Sequence, residues 1–323
     1  VQEVYRYAAI EEDAPYTYTV RDFSREQRNR VVSMLGEAGY VSVTDGANME
    51  NHNSVRDFYS AYLKGQDSLV TIFDVNLDGL IGAYTFIHRK GNLQTFYVQI
   101  GWREGGVPEI ISTAVSDIAE IKLTEKGYFI YAYTVQLYHS SLRQFWRAAP
   151  LSDRCRELTE KYLDGLSYVN YNVLVTDWDS NNVEDILMPC MFEDLYRMDT
   201  GEILRPENGE IPAEVYERIM TTYFPVTKER IREICGYRAD TDSYPYEMIF
   251  SSPYPPFGEV VGDKENPDGT LTLFVDGVWP DYNSDCAFTN IITVQPFDDG
   301  TFRYLSNSIE KKELDIPNVY DMK

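Results

Sequence analysis

The hydrophobic periodicity of the chain changes from a helical to a strand repeat, and does so twice. Before Leu69 the apolar residues recur every three or four positions, as at Val55, Phe58 and Tyr59. From Leu69 they alternate with polar residues, in runs separated by glycine-containing turns. The same order of helices and then strands returns after Pro150. This pattern predicts helices packed on an antiparallel sheet, which is an α+β fold.

The predicted elements divide the chain into two domains, residues 1–150 and 151–323. In the first, Ser24 and Gln27 form a capping-box pattern that predicts a helix ending at Gly39, and Ser54 and Asp57 predict a second helix ending at Gly65. Strands are then predicted in residues 69–75, 80–89 and 93–102, and in two runs within residues 110–138. In the second domain, helices are predicted in residues 153–164, 213–224 and 227–236, and strands in residues 244–250, 270–279, 288–297 and 302–309.

The charge of the chain excludes several classes of partner. The sequence has 29 Lys and Arg against 52 Asp and Glu, a net charge of −23. Such a chain repels phosphate backbones and anionic lipid, so nucleic acid is not an expected partner. No run approaches the roughly 18 apolar residues of a membrane span. Four cysteines without a C-x-x-C pair favour free, buried thiols.

The segment Asp74-Val75-Asn76-Leu77-Asp78-Gly79 matches the opening of a calcium-binding loop of the EF-hand type. The match ends there, because Thr85 stands where such a loop needs a bidentate carboxylate. The flanking residues also have strand character. A hairpin turn is therefore the main interpretation, and a weak calcium site formed by Asp74, Asn76 and Asp78 is the alternative.

Two aromatic segments are the candidate ligand-binding residues. Asp177, Trp178 and Asp179 place a ring between two carboxylates, an arrangement that suits a sugar, although a helix cap and a core anchor explain it equally well. Trp279 and Tyr282 are candidates for an exposed aromatic patch. No nucleotide, dinucleotide or serine-hydrolase signature occurs, so no cofactor and no catalytic residue is predicted.

Several short motifs resemble an uncharacterised family of exported lipoproteins from Gram-positive anaerobic bacteria. They are Thr124-Glu125-Lys126-Gly127-Tyr128-Phe129, Leu174-Val175-Thr176-Asp177-Trp178, Tyr223-Phe224, Val278-Trp279-Pro280 and the closing Gly300-x-Phe302-x-Tyr304-x-Ser306-Asn307. The resemblance implies an export signal and a lipid-bearing cysteine upstream of Val1, and so an extracellular, membrane-anchored protein. Each half also looks like a nuclear-transport-factor-like or cystatin-like domain, folds that host both binding and catalysis.

These observations lead to two functional hypotheses. The first is a non-enzymatic module that binds a glycan, a peptide or an envelope protein through an aromatic-lined concave sheet face. The alternative is a hydrolase of envelope glycans that uses two carboxylates, one of them desolvated enough to stay protonated near neutral pH.

Overall fold

A computed structural model describes residues 1–13, 17–134, 143–166, 173–186, 188–206, 208–246 and 256–312. The chain divides into two compact units, Val1–Leu151 and Ser152–Lys323. Helices and antiparallel sheets occur in both, so the predicted α+β class is confirmed. No helix in the described ranges has the length and apolar character that crossing a membrane requires.

The first unit is built on a seven-stranded sheet whose strands follow the order of the chain. Its helices are α1 (Gln2–Tyr5), α2 (Arg25–Glu37) and α3 (Asn53–Leu63), and a separate hairpin is formed by β1 (Ile10–Asp13) and β2 (Thr17–Val20). The sheet strands are β3 (Val41–Thr44), β4 (Ser68–Val75), β5 (Ile81–Arg89), β6 (Asn92–Arg103), β7 (Val107–Leu123), β8 (Tyr128–Tyr133) and β9 (Gln144–Arg147).

The strands from β4 to β8 confirm the predicted meander, while β3 was not predicted. Strand β3 pairs parallel with β4, and α3 forms the crossover between them. Strand β9 was also missed, and the part of the predicted runs within 110–138 that follows residue 134 lies outside the described residues. The first unit is therefore a meander extended by one parallel edge strand.

The two predicted capping boxes have different outcomes. At α2 the box is present: the Gln27 N–H donates to Ser24 Oγ over 3.2 Å, and the Ser24 N–H donates to Gln27 Oε1 over 2.9 Å. The box at Ser54 is wrong, because α3 begins at Asn53 without a side-chain cap. Asn51 sets this start, since its side-chain amide donates to the carbonyls of Gly36 in α2 and of Tyr40 after it, and its φ of 52° turns the chain into α3.

The described residues of the second unit form four helices and a four-stranded antiparallel sheet. The helices are α4 (Asp153–Tyr162), α5 (Met188–Thr200), α6 (Ala213–Tyr223) and α7 (Lys228–Ile234), with short 3-10 helices at Val183–Asp185 and Pro280–Tyr282. The sheet contains β12 (Phe257–Glu265), β13 (Leu271–Trp279), β14 (Ser284–Pro296) and β15 (Phe302–Lys311), and a small pair is formed by β10 (Glu210–Pro212) and β11 (Ser243–Pro245).

Most of the second set of predictions is confirmed. Helices α4, α6 and α7 and strands β13, β14 and β15 lie where the sequence predicts them. Thr227 caps α7 by accepting the Arg230 N–H over 3.2 Å. Strand β12 was missed, and the predicted strand 244–250 lies outside the described residues beyond residue 246. Cys155, Cys235 and Cys286 are buried free thiols, as expected, whereas the side chain of Cys190 is not among those described.

Candidate functional site

The inner face of the seven-stranded sheet carries a cluster of aromatic rings around one carboxylate. Strand alternation places Asp74 and Ile72 of β4 on this face, and the register puts Asp74 opposite Gly82 and Tyr84 opposite Tyr97. Helix α3 covers one part of the face, where Phe58 packs on Phe86 and Phe129. The other part holds six side chains that form what we call the aromatic bay: Asp74, Tyr84, Tyr97, Tyr131, Tyr133 and Trp146.

The curl of the sheet brings the members of the bay together. Strands β4 and β9 are five positions apart in the sheet order, which in a flat sheet would separate them by about 24 Å at roughly 4.8 Å per strand. Trp146 Nε1 on β9 nevertheless donates to Asp74 Oδ2 on β4 over 2.8 Å. This hydrogen bond spans the concave face, so the bay depends on the tertiary curvature.

The rings of the bay contact one another in a continuous series. The ring centroids of Tyr84 and Tyr97 are 4.7 Å apart, and those of Tyr84 and Trp146 are 4.9 Å apart. Tyr131 stacks on Trp146 at 5.4 Å and meets Tyr133 edge-on at 5.5 Å. The carboxylate of Asp74 is thus bounded by aromatic side chains from strands β5, β6, β8 and β9.

Gly82 is what allows two of these rings to lie beside Asp74. A Cβ at Gly82 would be 2.7 Å from Cε2 of Tyr84 and 3.2 Å from Cε2 of Tyr97. The two rings therefore occupy the space that a side chain at this position would fill. Because φ at Gly82 is not positive, the backbone itself would accept alanine, and only the rings would have to move.

Burial shifts the ionisation of the bay. Desolvation raises the pKa of Asp74, the hydrogen bond from Trp146 lowers it, and the nearby charge of Asp45 raises it further. The pKa values of the Tyr84 and Tyr131 phenols are also raised by burial, with Asp74 among the contributing charges. At a given pH, these groups are therefore more fully protonated in the bay than the same groups would be in water.

The bay is open to solvent on one side. Asp74, Tyr84, Tyr97 and Tyr133 are half-buried, while Tyr131 is buried behind them. The residue opposite Tyr97 on β7 is Ala114, which is small and exposed. A ligand that approaches from this side could reach ring faces and edges as well as the carboxylate.

The chain as a whole matches a family model over residues 1–323, and that model is described as a family of unknown function, DUF6070. The chain belongs to the DUF6070 family. No curated protein and no solved structure matches it. The family description assigns no functional residue to this DUF6070 protein.

The candidates Asp177, Trp178 and Asp179 lie in a segment that is hydrogen-bonded to the sheet of the second unit. Trp178 is 3 % exposed, its indole Nε1 donates to the Val173 carbonyl over 3.2 Å, and its ring meets Phe224 edge-on. Asp177 Oδ1 accepts a hydrogen bond from the Ile309 N–H over 2.7 Å, and Asp179 Oδ1 accepts one from the Asn181 N–H. The ring and these carboxylate oxygens are engaged in the fold, and their ligand-binding role stays a prediction.

The candidates Trp279 and Tyr282 lie together at the end of β13. Their ring centroids are 4.4 Å apart, and Trp279 also packs at 6.0 Å from Phe288. Both are half-buried. Trp178 packs on Phe224 instead, so the two predicted groups have different ring neighbours. Their role in binding is likewise a prediction.

The predicted calcium loop is the hairpin turn between β4 and β5. Asn76 donates its N–H to the Leu80 carbonyl over 2.9 Å, and Asp78 Oδ1 accepts the Leu80 N–H over 3.1 Å. Asp74 is directed to Trp146 as described above. Within the described ranges no group of three His, Cys, Asp or Glu residues is placed to hold a metal ion. The calcium alternative remains a prediction for solution measurement.

A cavity of about 850 Å³ in the second unit competes with the bay as a binding site. Its wall includes Glu210 and Asp242, but the carboxylate of Glu210 already binds Arg238 and Ser243. Asp242 accepts the hydroxyl of Tyr237 over 2.7 Å. Because these acids have partners within the fold, the bay with its desolvated carboxylate is the stronger candidate.

Sequence reasoning pointed to an aromatic concave face but did not locate the bay. Its members come from five strands, and no local motif joins them. One signal was available: Tyr84 and Tyr97 are placed symmetrically about the Lys90-Gly91 turn, and Asp74 and Gly82 symmetrically about Asp78. Hairpin symmetry would have paired them, whereas the closure by Trp146 requires the curl.

Proposed function

We propose that this DUF6070 protein is a non-enzymatic binding module whose ligand occupies the aromatic bay. The observation that supports the proposal is the set of aromatic rings, three of them half-buried and two buried, around Asp74 on a concave sheet face. Aromatic side chains supply large contact areas at little cost in conformational entropy, and a carboxylate fixes the orientation of a ligand. A glycan, a peptide or an envelope protein could present the matching groups.

The cellular setting is part of the same proposal. The sequence motifs that resemble exported lipoproteins support a location at the outer face of a Gram-positive cell envelope. The net charge of −23 agrees with a protein that stays soluble beside anionic envelope polymers without adhering to them. The ligand would then be an envelope component or a molecule captured from outside.

A second candidate function is carboxylate-dependent hydrolysis of an envelope glycan. The observation that favours it is the raised pKa of Asp74 with Asp45 nearby, since a general acid must keep its proton near neutral pH. Release of reducing ends from peptidoglycan tests this function. We expect Asp74→Asn to abolish any such release, and hydrolysis that survives the substitution would exclude Asp74 as the acid.

Binding is best tested with two glycine-to-alanine variants, in each of which the added Cβ would clash with an aromatic ring. Gly82→Ala would displace Tyr84 and Tyr97 in the bay. Gly277→Ala is its match in the second unit, because a Cβ there would lie 2.7 Å from Cδ2 of Phe288. Soluble peptidoglycan fragments, both glycan chains and stem peptides, are titrated into each full-length protein, and the tyrosine ring and tryptophan indole resonances are followed by NMR.

The proposal predicts that a fragment shifts the resonances of Tyr84, Tyr97 and Trp146 in the unmodified protein. Gly82→Ala should weaken that binding at least tenfold, while Gly277→Ala leaves it unchanged. Equal affinity in both variants, or shifts confined to residues outside the bay, would contradict the proposal.

A further inference from the structure

We infer that the group bound in the aromatic bay is a small organic cation, such as a quaternary or primary ammonium, held between Asp74 and the tyrosine rings. The inference rests on the proposed function, because it names the ligand class for the same site. Its basis is the charge balance of the bay, the placement of the rings and the sign of the surrounding potential.

The carboxylate of Asp74 has no basic partner among the described residues. Its hydrogen bond comes from the neutral indole of Trp146, which satisfies Oδ2 without neutralising the charge. The buried carboxylate of Glu217, only 3 % exposed, has the counter-charge that Asp74 lacks: it pairs with Arg232 over 2.6 Å and with Lys228 over 3.8 Å. A carboxylate removed from water without a counter-charge is costly, and a bound cation would supply that charge.

The rings provide the second recognition element. A cation is attracted to the negative face of an aromatic ring within about 6 Å of its centroid, and several rings around one cation form the aromatic cage that binds quaternary ammonium groups. Tyr84 and Tyr97 lie side by side next to the carboxylate and are half-buried. A neutral sugar would gain stacking here, but it would leave the charge of Asp74 uncompensated.

The groups facing Asp74 from the other elements are acids and phenols. They are Asp45 after β3, Tyr84 on β5, Tyr97 on β6, and Tyr131 and Tyr133 on β8. None of these carries a positive charge, so they favour a cation and disfavour an anion. The net charge of −23 extends the same preference to the approach of the ligand from solution.

Cation binding should be coupled to a proton. Because burial raises the pKa of Asp74, the unliganded protein keeps this carboxyl protonated to a higher pH than a carboxyl in water. A cation stabilises the ionised form and displaces that proton. Affinity should therefore fall as the pH is lowered through the pKa of Asp74 and should be constant well above it.

The test uses choline and its uncharged isostere, 3,3-dimethyl-1-butanol, which has the same shape without the charge. Each is titrated into the full-length protein at pH 7.5, and the Trp146 indole and tyrosine ring resonances report on the bay. The variants are Asp74→Asn and, as a control with the same loss of one negative charge, Asp57→Asn on the exposed face of α3. Titrations of the unmodified protein at lower pH give the proton linkage without any substitution.

We expect choline to shift the bay resonances and to bind at least tenfold more tightly than the isostere. Asp74→Asn should lose at least tenfold in choline affinity, while Asp57→Asn should change it less than twofold. If both probes bind equally, or if only glycan chains without an ammonium group shift the bay, the cation assignment is overturned and the binding function stands. If no choline, isostere or fragment shifts the bay, both proposals fail.

Discussion

The irregular segment that contains Trp178 is held to strand β15 by Asn307, and replacing Asn307 with alanine should weaken that attachment. The Asn307 Nδ2 donates to the Thr176 carbonyl over 2.8 Å, and its Oδ1 accepts from Asn290 Nδ2 over 2.9 Å. Asn290 donates in turn to the Leu174 carbonyl over 2.7 Å. Both asparagines are almost completely buried. Two side chains thus satisfy the backbone of a segment that has no regular secondary structure.

The size of the effect follows from what the substitution removes. Asn307→Ala deletes two good hydrogen bonds at about 1 kcal/mol each. It also withdraws the donor from the Thr176 carbonyl, and because that residue is only half-buried the added cost is at most about 2 kcal/mol. We expect a loss of about 2–4 kcal/mol in the free energy of unfolding, which is roughly 30- to 1,000-fold in the folding equilibrium. Asn290→Ala should interact with it by about 0.5–3 kcal/mol in a double-mutant cycle, because the two residues share a bond.

Urea unfolding of the full-length chain measures these free energies, and amide hydrogen exchange reports the local effect. The Trp178 N–H and the Asn307 N–H, which bond each other's carbonyls at 3.0 and 2.9 Å, should exchange faster in Asn307→Ala. Ser308→Ala, at an exposed position of the same strand, should stay within about 0.5 kcal/mol of the unmodified protein. A cost below about 0.5 kcal/mol for Asn307→Ala, or strictly additive effects with Asn290→Ala, would refute the reasoning.

Three further outcomes follow from the structure. The folded protein raises the pKa of Asp74, so the protonated carboxyl contributes to stability. This contribution is full below the unfolded-state pKa of about 3.9 and is lost as the pH rises through the folded-state pKa. Urea unfolding from pH 3 to pH 8 should show this fall in stability in the unmodified protein and not in Asp74→Asn. Gly127→Ala, at a φ of 94° and with its new Cβ against the β-carbon of Ala149, should cost about 3 kcal/mol in urea unfolding. Gly91→Ala, whose new Cβ meets open space, should cost about 1 kcal/mol, and equal costs for the two variants would contradict the steric argument. Arg232→Ala removes the closest cation from the buried carboxylate of Glu217 on α6 and should lower the urea midpoint of unfolding. Arg230→Ala breaks only exposed ion pairs and should leave the midpoint unchanged.

The sequence was sufficient to predict elements whose signals are local. The Ser24 box, the Thr227 cap and the glycine-marked hairpins are decided within a few residues, and the structure has them all. The predicted box at Ser54 was wrong because a tertiary contact decides where the helix begins. The side-chain amide of Asn51 donates to the carbonyls of Gly36 and Tyr40, which are distant in sequence.

Elements whose stability comes from tertiary pairing were not predictable from local pattern. Strand β3 has four residues and pairs parallel with β4 only after the α3 crossover brings it there. Strand β12 contains Gly258, Gly262 and several charged residues, a composition that does not favour strands, and it is held by β13. The bay belongs to the same class, because Asp74 and Trp146 are 72 residues apart and meet only through the curl.

The order of strands in the first unit also has a consequence for the rate and route of folding. From β4 to β9 every strand pairs with its immediate successor, so successive hairpins can form by closing short loops with a small entropic cost. Strand β3 can join only after its crossover helix is placed, and the contact between Asp74 and Trp146 needs the entire meander. We therefore expect hairpins to form early and the ligand site to be completed in the last step, when the sheet closes on itself.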